Sequence, residues 1–476
     1  MPFKDLRDFI AKLEEAGEAI RIEEEVDWNM EAGAMLRRAA EKGLPATLFQ
    51  KIKGCAPGYR LFGGGAAKFS RMAISMDMAP DTHPRELIEE YLRRRKNPIK
   101  PVLVKDGPCK ENIQIGDEVD LLKFPVPMVH GGDGGRYIGT WHATITKDLD
   151  SDWINWGMYR QMLQNKNTVS IFLATPAKHL AAMYFREYEP KNKPMEVAIA
   201  IGMDPISTMC AANPMPYGVS EVDIAGALRG EPVELVKCET IDLVVPATAE
   251  IIIEGEFSPK ERMDEGPFGE FTGYRSGLEA PRPVIHVKAV THRDNPILTM
   301  SCMGIPVDDN SIISLTSSAE LWEELKARGL PVTGVYVPPE TAYMMTVVAV
   351  KPAYVGVADD VAHAIWGGPF GHAETYIVVV EDDVDPFNLP QVWHALVSKC
   401  HPGRGIHKVE NSRVTSLIPY VDHHEREYDM GPKVYFDCTW PLDWDPADVP
   451  ERASFAEMYP AEVQKSALAK WAKHGY

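Results

Sequence analysis

Between about residues 115 and 300 the chain is a succession of short runs rich in β-branched residues: TWHATITKD, TVSIFLA, MEVAIAIG, AEIIIEGEF, RPVIHVKAVTH and PILTMSCM. Branched side chains fit a pleated surface better than a helix. Gly, Pro and Asp separate the runs and turn the chain between them. Closely spaced strands of this kind predict an antiparallel sheet or barrel. The last two runs flank HRDNP (292–296) and are expected to form a hairpin across it. Helices intrude once or twice in this region, most clearly at SEVDIAGALRG (220–230). Ser220 and Asp223 there form an S-x-x-D start signal, with Glu221 in the first turn.

The flanking segments read differently. LRDFIAKLEEAG carries Leu6, Phe9, Ile10 and Leu13 on one helical face and stops at Gly17. MEAGAMLRRAAEKG and HPRELIEEYLRRR are further helices, and ATLFQ and YRLFGGG are short strands. KNPIKPVLVKDGP (96–108) is Pro-rich and reads as a linker. After about residue 305 strand and helix patterns alternate, from SAELWEELKARG to LPQVWHALVSKC, which implies an α/β unit with largely parallel strands. The final helix, in EMYPAEVQKSALAKWAKHGY, has an apolar stripe of Ala461, Val463, Ala467, Leu468 and Trp471 that needs a partner, on its own domain or on a neighbouring subunit. The expected class is α/β (α+β overall), divided as 1–112, 113–304, 305–445 and a tail at 446–476.

Composition narrows the function. A formal charge of -19 on 476 residues excludes a nucleic-acid groove or an anionic membrane as the main partner. The one dense basic run, Arg93 to Lys96, ends a helix and reads as a solvated end. Seven cysteines, an odd number without a CxxC pair, fit a reducing compartment and give no zinc signature. The N-terminal stretch is an amphipathic helix with acidic residues rather than a signal peptide, and no apolar run reaches the ~20 residues that cross a bilayer. A cytoplasmic protein is expected.

Several residues carry chemistry. In DEGPFGEFTGY (264–274), Glu265 and Glu270 lie on either side of Gly-Pro-Phe-Gly. Pro267 argues against helix or strand, and a type I turn over 266–269 would bring both carboxylates to one site; an acidic surface turn is the plain alternative. DWINWGMYRQM (152–162) holds Asn155 and Arg160 among aromatics, where a partly desolvated arginine needs a carboxylate partner. An ordinary buried salt bridge would satisfy the same pattern. His179 in PAKHL is expected at the end of a strand, and Glu221 at a helix N-terminus. HGGDGG (130–135) offers amides that would cradle a phosphate.

Together WINWGMYRQM, PAKHL, SEVDIAGALRGEP and DEGPFGEFTGY, in that order and spacing, resemble the UbiD family of prenylated-FMN-dependent decarboxylases. The likeness runs over nearly the whole chain. It implies a central split β-barrel of the flavin-reductase type and a cofactor cleft between the central and C-terminal domains. It implies that Asn155, His179 and Glu221 bind Mn²⁺ (or Mg²⁺) bridging to the phosphate of prenylated FMN, beside a K⁺ ion. Trp156, Met158, Tyr159, Arg160 and Lys178 would also contact the cofactor. Oxygen and imidazole ligands suit such a metal. Loss of CO₂ from an aromatic carbon leaves an electron pair that needs a cofactor as sink. In the family the flavin's added ring bonds the substrate carbon, CO₂ leaves, and a proton replaces it. Glu270 would be the proton donor, within a Glu265–Arg160–Glu270 network. The implied substrate is an aromatic or heteroaromatic acid; the implied partners are a prenyl-flavin synthase as cofactor supplier and a second copy in a homodimer or homohexamer.

The chain departs from the family at Thr375, where many members carry a lysine near the flavin phosphate; Lys178 is the candidate replacement. Phe271 is expected at the pocket or in the core. DDNSIISLTSSAELW (308–322) favours a flat apolar substrate, and His423 and His424 are candidate recognition groups, or surface histidines. Two other readings stay open: a two-carboxylate hydrolase using Glu265 and Glu270, and a non-catalytic flavin-binding subunit of a larger carboxylase.

Overall fold

The computed structural model describes residues 3–173, 179–213, 215–275 and 277–475. The middle of the chain forms a nine-stranded sheet in which every pairing is antiparallel. Its order runs Tyr137–Gly139, Gln161–Asn165, Thr168–Ile171, Ala280–His292, Ile251–Glu265, Met195–Ile201, His142–Lys147 and Ile154–Gly157, with Asn112–Ile115 paired to the far end of Ala280–His292. Ile154–Gly157 forms one edge, whereas Gln161–Asn165 lies next to the other edge, yet only Met158, Tyr159 and Arg160 join them. That link spans at most ~14 Å even when extended. The sheet must therefore curl until its edges approach, and it does so as a half-barrel. The fold class is mixed α/β, as the sequence predicts.

The hairpin expected across HRDNP does not form. Ile297–Met300 leaves the half-barrel and pairs in parallel with Arg60–Gly63, completing a four-stranded N-terminal sheet with Ala46–Ile52 and Ala19–Val26. Its four residues are buried there, which an exposed hairpin edge would not allow. Helix Leu6–Glu15 covers this sheet with Leu6, Phe9, Ile10 and Leu13, the predicted face. The supposed linker at 96–108 is also more than a linker: Val102–Leu103 pairs with Glu234–Lys237.

The C-terminal sheet has the order Val332–Tyr336, Met345–Val350, Tyr376–Glu381, Met430–Cys438, Ile406–Arg413. Its three inner strands are parallel, but both edge strands are antiparallel, so the expectation of parallel strands holds only at the centre. Helix Ser311–Ala327 begins well before the SAELW segment that announces it. It is buried on almost all sides and belongs to one continuous core that draws residues from all three regions. Ser314 and Ser318, apparent misfits in such a helix, bond to the backbone of Val337. The terminal helix Ala461–Ala472 buries none of its residues: Val463, Leu468 and Trp471 are 49%, 57% and 59% exposed. No helix among the described residues is long and apolar enough to cross a membrane.

Candidate active site

Curling the sheet delivers the three-residue link into the interior. Arg160 leaves it as a buried residue, only 8% exposed. Its Nε and Nη2 donate to the two oxygens of Glu265, each at 2.8 Å, and its Nη1 donates to Glu270. Both acids are buried, Glu265 completely. One arginine thus bridges the two carboxylates that the sequence sets five residues apart. Phe172 closes the guanidinium face, with its ring centre 4.2 Å from Cζ. The phenol of Tyr137 donates to Glu265 at 2.8 Å, and burial together with the Glu265 charge holds that phenol protonated. Every donor around Glu265 is fixed, which a lone buried carboxylate requires.

The acids are not brought together by a type I turn. Gly266 adopts φ +88, the Gly266–Pro267 peptide is cis, and the Gly269 N–H donates to the Asp133 carboxylate at 3.0 Å instead of closing a turn. The Gly134 N–H donates to Pro267 O at 2.7 Å. HGGDGG therefore grips the acid-bearing loop, and the amides expected to cradle a phosphate are in part committed to protein. A Cβ on Gly134 would lie 1.9 Å from Gly266 O, so only glycine allows this approach.

A second cluster forms where the edge strand Ile154–Gly157 meets helix Glu221–Arg229. His179 Nδ1 is 2.9 Å from Asn155 Oδ1, and the Trp156 N–H donates to Glu221 Oε2 at 2.9 Å. Trp156 contributes this backbone group while its indole packs in the core. His179 begins a short helix, His179–Ala182, rather than ending a strand. Ser220 starts the helix as predicted, although its side chain caps no backbone amide. Burial pushes the Glu221 carboxyl up to about 8, against the pull of the Trp156 amide. Among the described residues no group of three or more His, Cys, Asp or Glu is placed to hold a metal. Here the third member is the amide of Asn155, whose oxygen lies against His179. An amide oxygen, an imidazole nitrogen and a carboxylate form a hard donor set that fits Mn²⁺ or Mg²⁺.

Between the half-barrel and the C-terminal domain lies a cavity of about 200 Å³. Met158, Tyr159, Arg160, Phe172, Glu270 and Phe271 face it from the half-barrel side, and Asn310, Ile313 and Ser317 from the long helix. The C-terminal domain contributes Tyr343, Phe370, His372, Ala373, Glu374 and Leu417. Phe271 thus takes its expected place, its ring 5.7 Å from that of Tyr343. His423 and His424 are exposed on helix His423–Tyr428, outside the lining. Thr375 is buried beside Lys433 of the neighbouring strand, whose Nζ donates to Gly371 O at 2.7 Å. Lys178 lies outside the described residues. Sequence reasoning missed Tyr137, Asp133 and Glu374. Only Asp133 carried a signal, as the acid within a Gly-rich loop.

Three sequence models of one family match this chain: the N-terminal, Rift-related and C-terminal domains of 3-octaprenyl-4-hydroxybenzoate carboxy-lyase, over residues 10–91, 100–306 and 310–438. A pyrrole-2-carboxylic acid decarboxylase of Pseudomonas aeruginosa is 34% identical over 99% of this chain and 98% of its own. The chain belongs to the UbiD family. UbiD proteins are carboxy-lyases, and the relatives this chain matches are named as decarboxylases. Among solved structures, the closed form of Sedimentibacter hydroxybenzoicus vanillic acid decarboxylase superposes with a TM-score of 0.91 at 31% identity, covering 99% of this chain and 100% of that one. An evolved dimeric form of the UbiD-class enzyme HmfF from Pelotomaculum thermopropionicum, in complex with prFMN, gives 0.79 at 30% identity over 94% and 97%.

Proposed function

We propose that this UbiD protein catalyses the reversible, non-oxidative decarboxylation of an aromatic or heteroaromatic carboxylic acid with prenylated FMN. The observation that carries the reading is Arg160 held between Glu265 and Glu270 on the wall of a largely apolar cavity. When bound, the prenylated flavin supplies the electron sink that removal of CO₂ from an aromatic carbon needs and side chains lack. Asn155, His179 and Glu221 would hold a Mn²⁺ or Mg²⁺ ion for the cofactor's phosphate, with K⁺ as a further ion of the site. Trp156, Met158 and Tyr159 shape the cofactor's bed in a split barrel of the flavin-reductase type.

Arg160 takes the substrate carboxylate and fixes the ring against the cofactor. Its bidentate pair with Glu265 keeps the guanidinium from following the substrate. Glu270 donates the proton that replaces CO₂ and, in reverse, removes it. The apolar lining of Met158, Phe172, Phe271 and Phe370 excludes water from that transfer. The segments 1–112, 113–304 and 305–445 are the three domains of this reading, with the cavity between the last two. The exposed stripe on the tail, 446–476, meets a second copy in a homodimer or a homohexamer. The free state of all seven cysteines suits a cytoplasmic enzyme supplied by a prenyl-flavin synthase.

The test is protein co-produced with a prenyl-flavin synthase. Mass spectrometry of the released cofactor identifies prenylated FMN, and aromatic acids are then screened for CO₂ release. Cofactor binding without turnover of any acid would favour the non-catalytic subunit, and active protein without flavin would favour the hydrolase.

A further inference from the structure

The C-terminal wall of the cavity carries a carboxyl group that proton transfer at Glu270 does not use. Glu374 lines the same cavity, is 1% exposed, and precedes strand Tyr376–Glu381. Its Oε2 accepts from Thr346 Oγ1 at 2.6 Å. Lys433 is near enough to be felt electrostatically, but it donates to Gly371 O and forms no ion pair with Glu374. Tyr343 lines the same cavity, and among the described residues its buried hydroxyl lacks a hydrogen-bond partner. A carboxyl group held there by one threonine is costly, and an apolar residue of similar size would pack with less penalty. Arg160 and Glu374 line one cavity, so a ring whose carboxylate is held at Arg160 shares that cavity with the Glu374 side of its lining.

We propose that Glu374 is the ring-recognition residue of this site, and that the substrate is an aromatic acid bearing a hydrogen-bond donor, a ring N–H or a phenolic O–H, on the side turned to the C-terminal domain. The proposal rests on the decarboxylase reading and narrows its substrate class. Burial pushes the Glu374 carboxyl up to about 8, with Thr346 pulling it down. Protonated or ionised, it keeps an oxygen that accepts from such a donor. A second carboxylate at that position would meet an acid and be disfavoured. A site built around a polar group rejects the analogue that lacks the matching donor more sharply than an apolar pocket rejects one that carries it.

Two matched pairs test this: pyrrole-2-carboxylate against thiophene-2-carboxylate, and 4-hydroxybenzoate against 4-methylbenzoate. The holoenzyme is assayed for CO₂ release, and binding of the same acids to FMN-loaded protein is followed by calorimetry. The expected result is a preference of at least ~10-fold for the donor-bearing member of one pair, in rate and in affinity. Glu374→Leu collapses that ratio towards one, and the isosteric Glu374→Gln, which preserves packing, reduces it. No preference in either pair, or a preference that survives both substitutions, overturns the proposal. Binding preference without turnover of any acid would count against the decarboxylase reading alone.

Discussion

Gly134→Ala perturbs catalysis without touching a charged group. Gly134 has no positive φ, so alanine is acceptable to its own backbone. The added Cβ, however, falls 1.9 Å from Gly266 O, 2.5 Å from Gly266 C and 3.2 Å from Pro267 N. These are backbone atoms and cannot rotate aside as a side chain would. Restoring contact from 1.9 Å to at least about 3.2 Å means moving the acid-bearing loop by more than ~1 Å. The Gly134 N–H bond to Pro267 O, 2.7 Å long, opens with it. Overpacking of this kind costs about 1–3 kcal/mol of stability, which a chain with so large a core survives. A displacement of ~1 Å in a proton donor costs on the order of 10²-fold in rate. Circular dichroism and cofactor content are therefore expected to stay near wild type while CO₂ release falls about 100-fold. Full activity in a folded, loaded Gly134→Ala protein would refute the claim that HGGDGG holds Glu270 in place.

Tyr137→Phe removes the phenol that donates to buried Glu265 and is expected to destabilise the fold by about 1–3 kcal/mol, read by chemical denaturation; an unchanged midpoint would mean that Arg160 alone satisfies that acid. Glu221→Gln, which takes the charge out of the hard donor set, should lower metal content measured by elemental mass spectrometry by at least ~10-fold, with flavin retention falling alongside. Glu374 has a folded-state value raised from 4.5 to about 8, so between these limits the unfolded chain has lost a proton the folded chain keeps, and stability falls as pH rises through that window. Glu374→Gln should cancel that loss, its stability advantage growing from pH 4.5 to 8 to a size on the order of a few kcal/mol; parallel profiles for the two proteins would contradict it.

What the sequence revealed follows from the range of the interactions involved. Helix Leu6–Glu15 and its buried face were legible because 3.6-residue periodicity is local. The antiparallel character of the central sheet was legible from short runs between turn residues. The fate of Ile297–Met300 was not: its partner, Arg60–Gly63, lies more than two hundred residues earlier, and nothing near HRDNP marks it. Glu265 and Glu270 were recognisable as a pair, but the device that joins them was misread. Gly-Pro-Phe-Gly predicts a turn, whereas the amide that would close it donates to Asp133. HGGDGG likewise offers amides to a phosphate, although tertiary packing uses one of them, that of Gly134, to hold a neighbouring loop. Glu374 gave no sign at all. Beside a strand it reads as any surface acid, and only tertiary packing against residues such as Thr346 and Trp366 buries it in a cavity wall.

The central claim, that Glu270 exchanges a proton with the substrate carbon, is tested most directly by hydrogen–deuterium exchange. Decarboxylated ring compounds would be incubated in D₂O with protein carrying prenylated FMN, and the deuterium at the reacting carbon followed by NMR. Wild-type protein should label that carbon, and Glu270→Gln, loaded with cofactor to the same extent, should label it at least ~10²-fold more slowly. Labelling by Glu270→Gln at the wild-type rate would mean that another group carries the proton and that the Glu265–Arg160–Glu270 bridge serves the fold rather than the reaction.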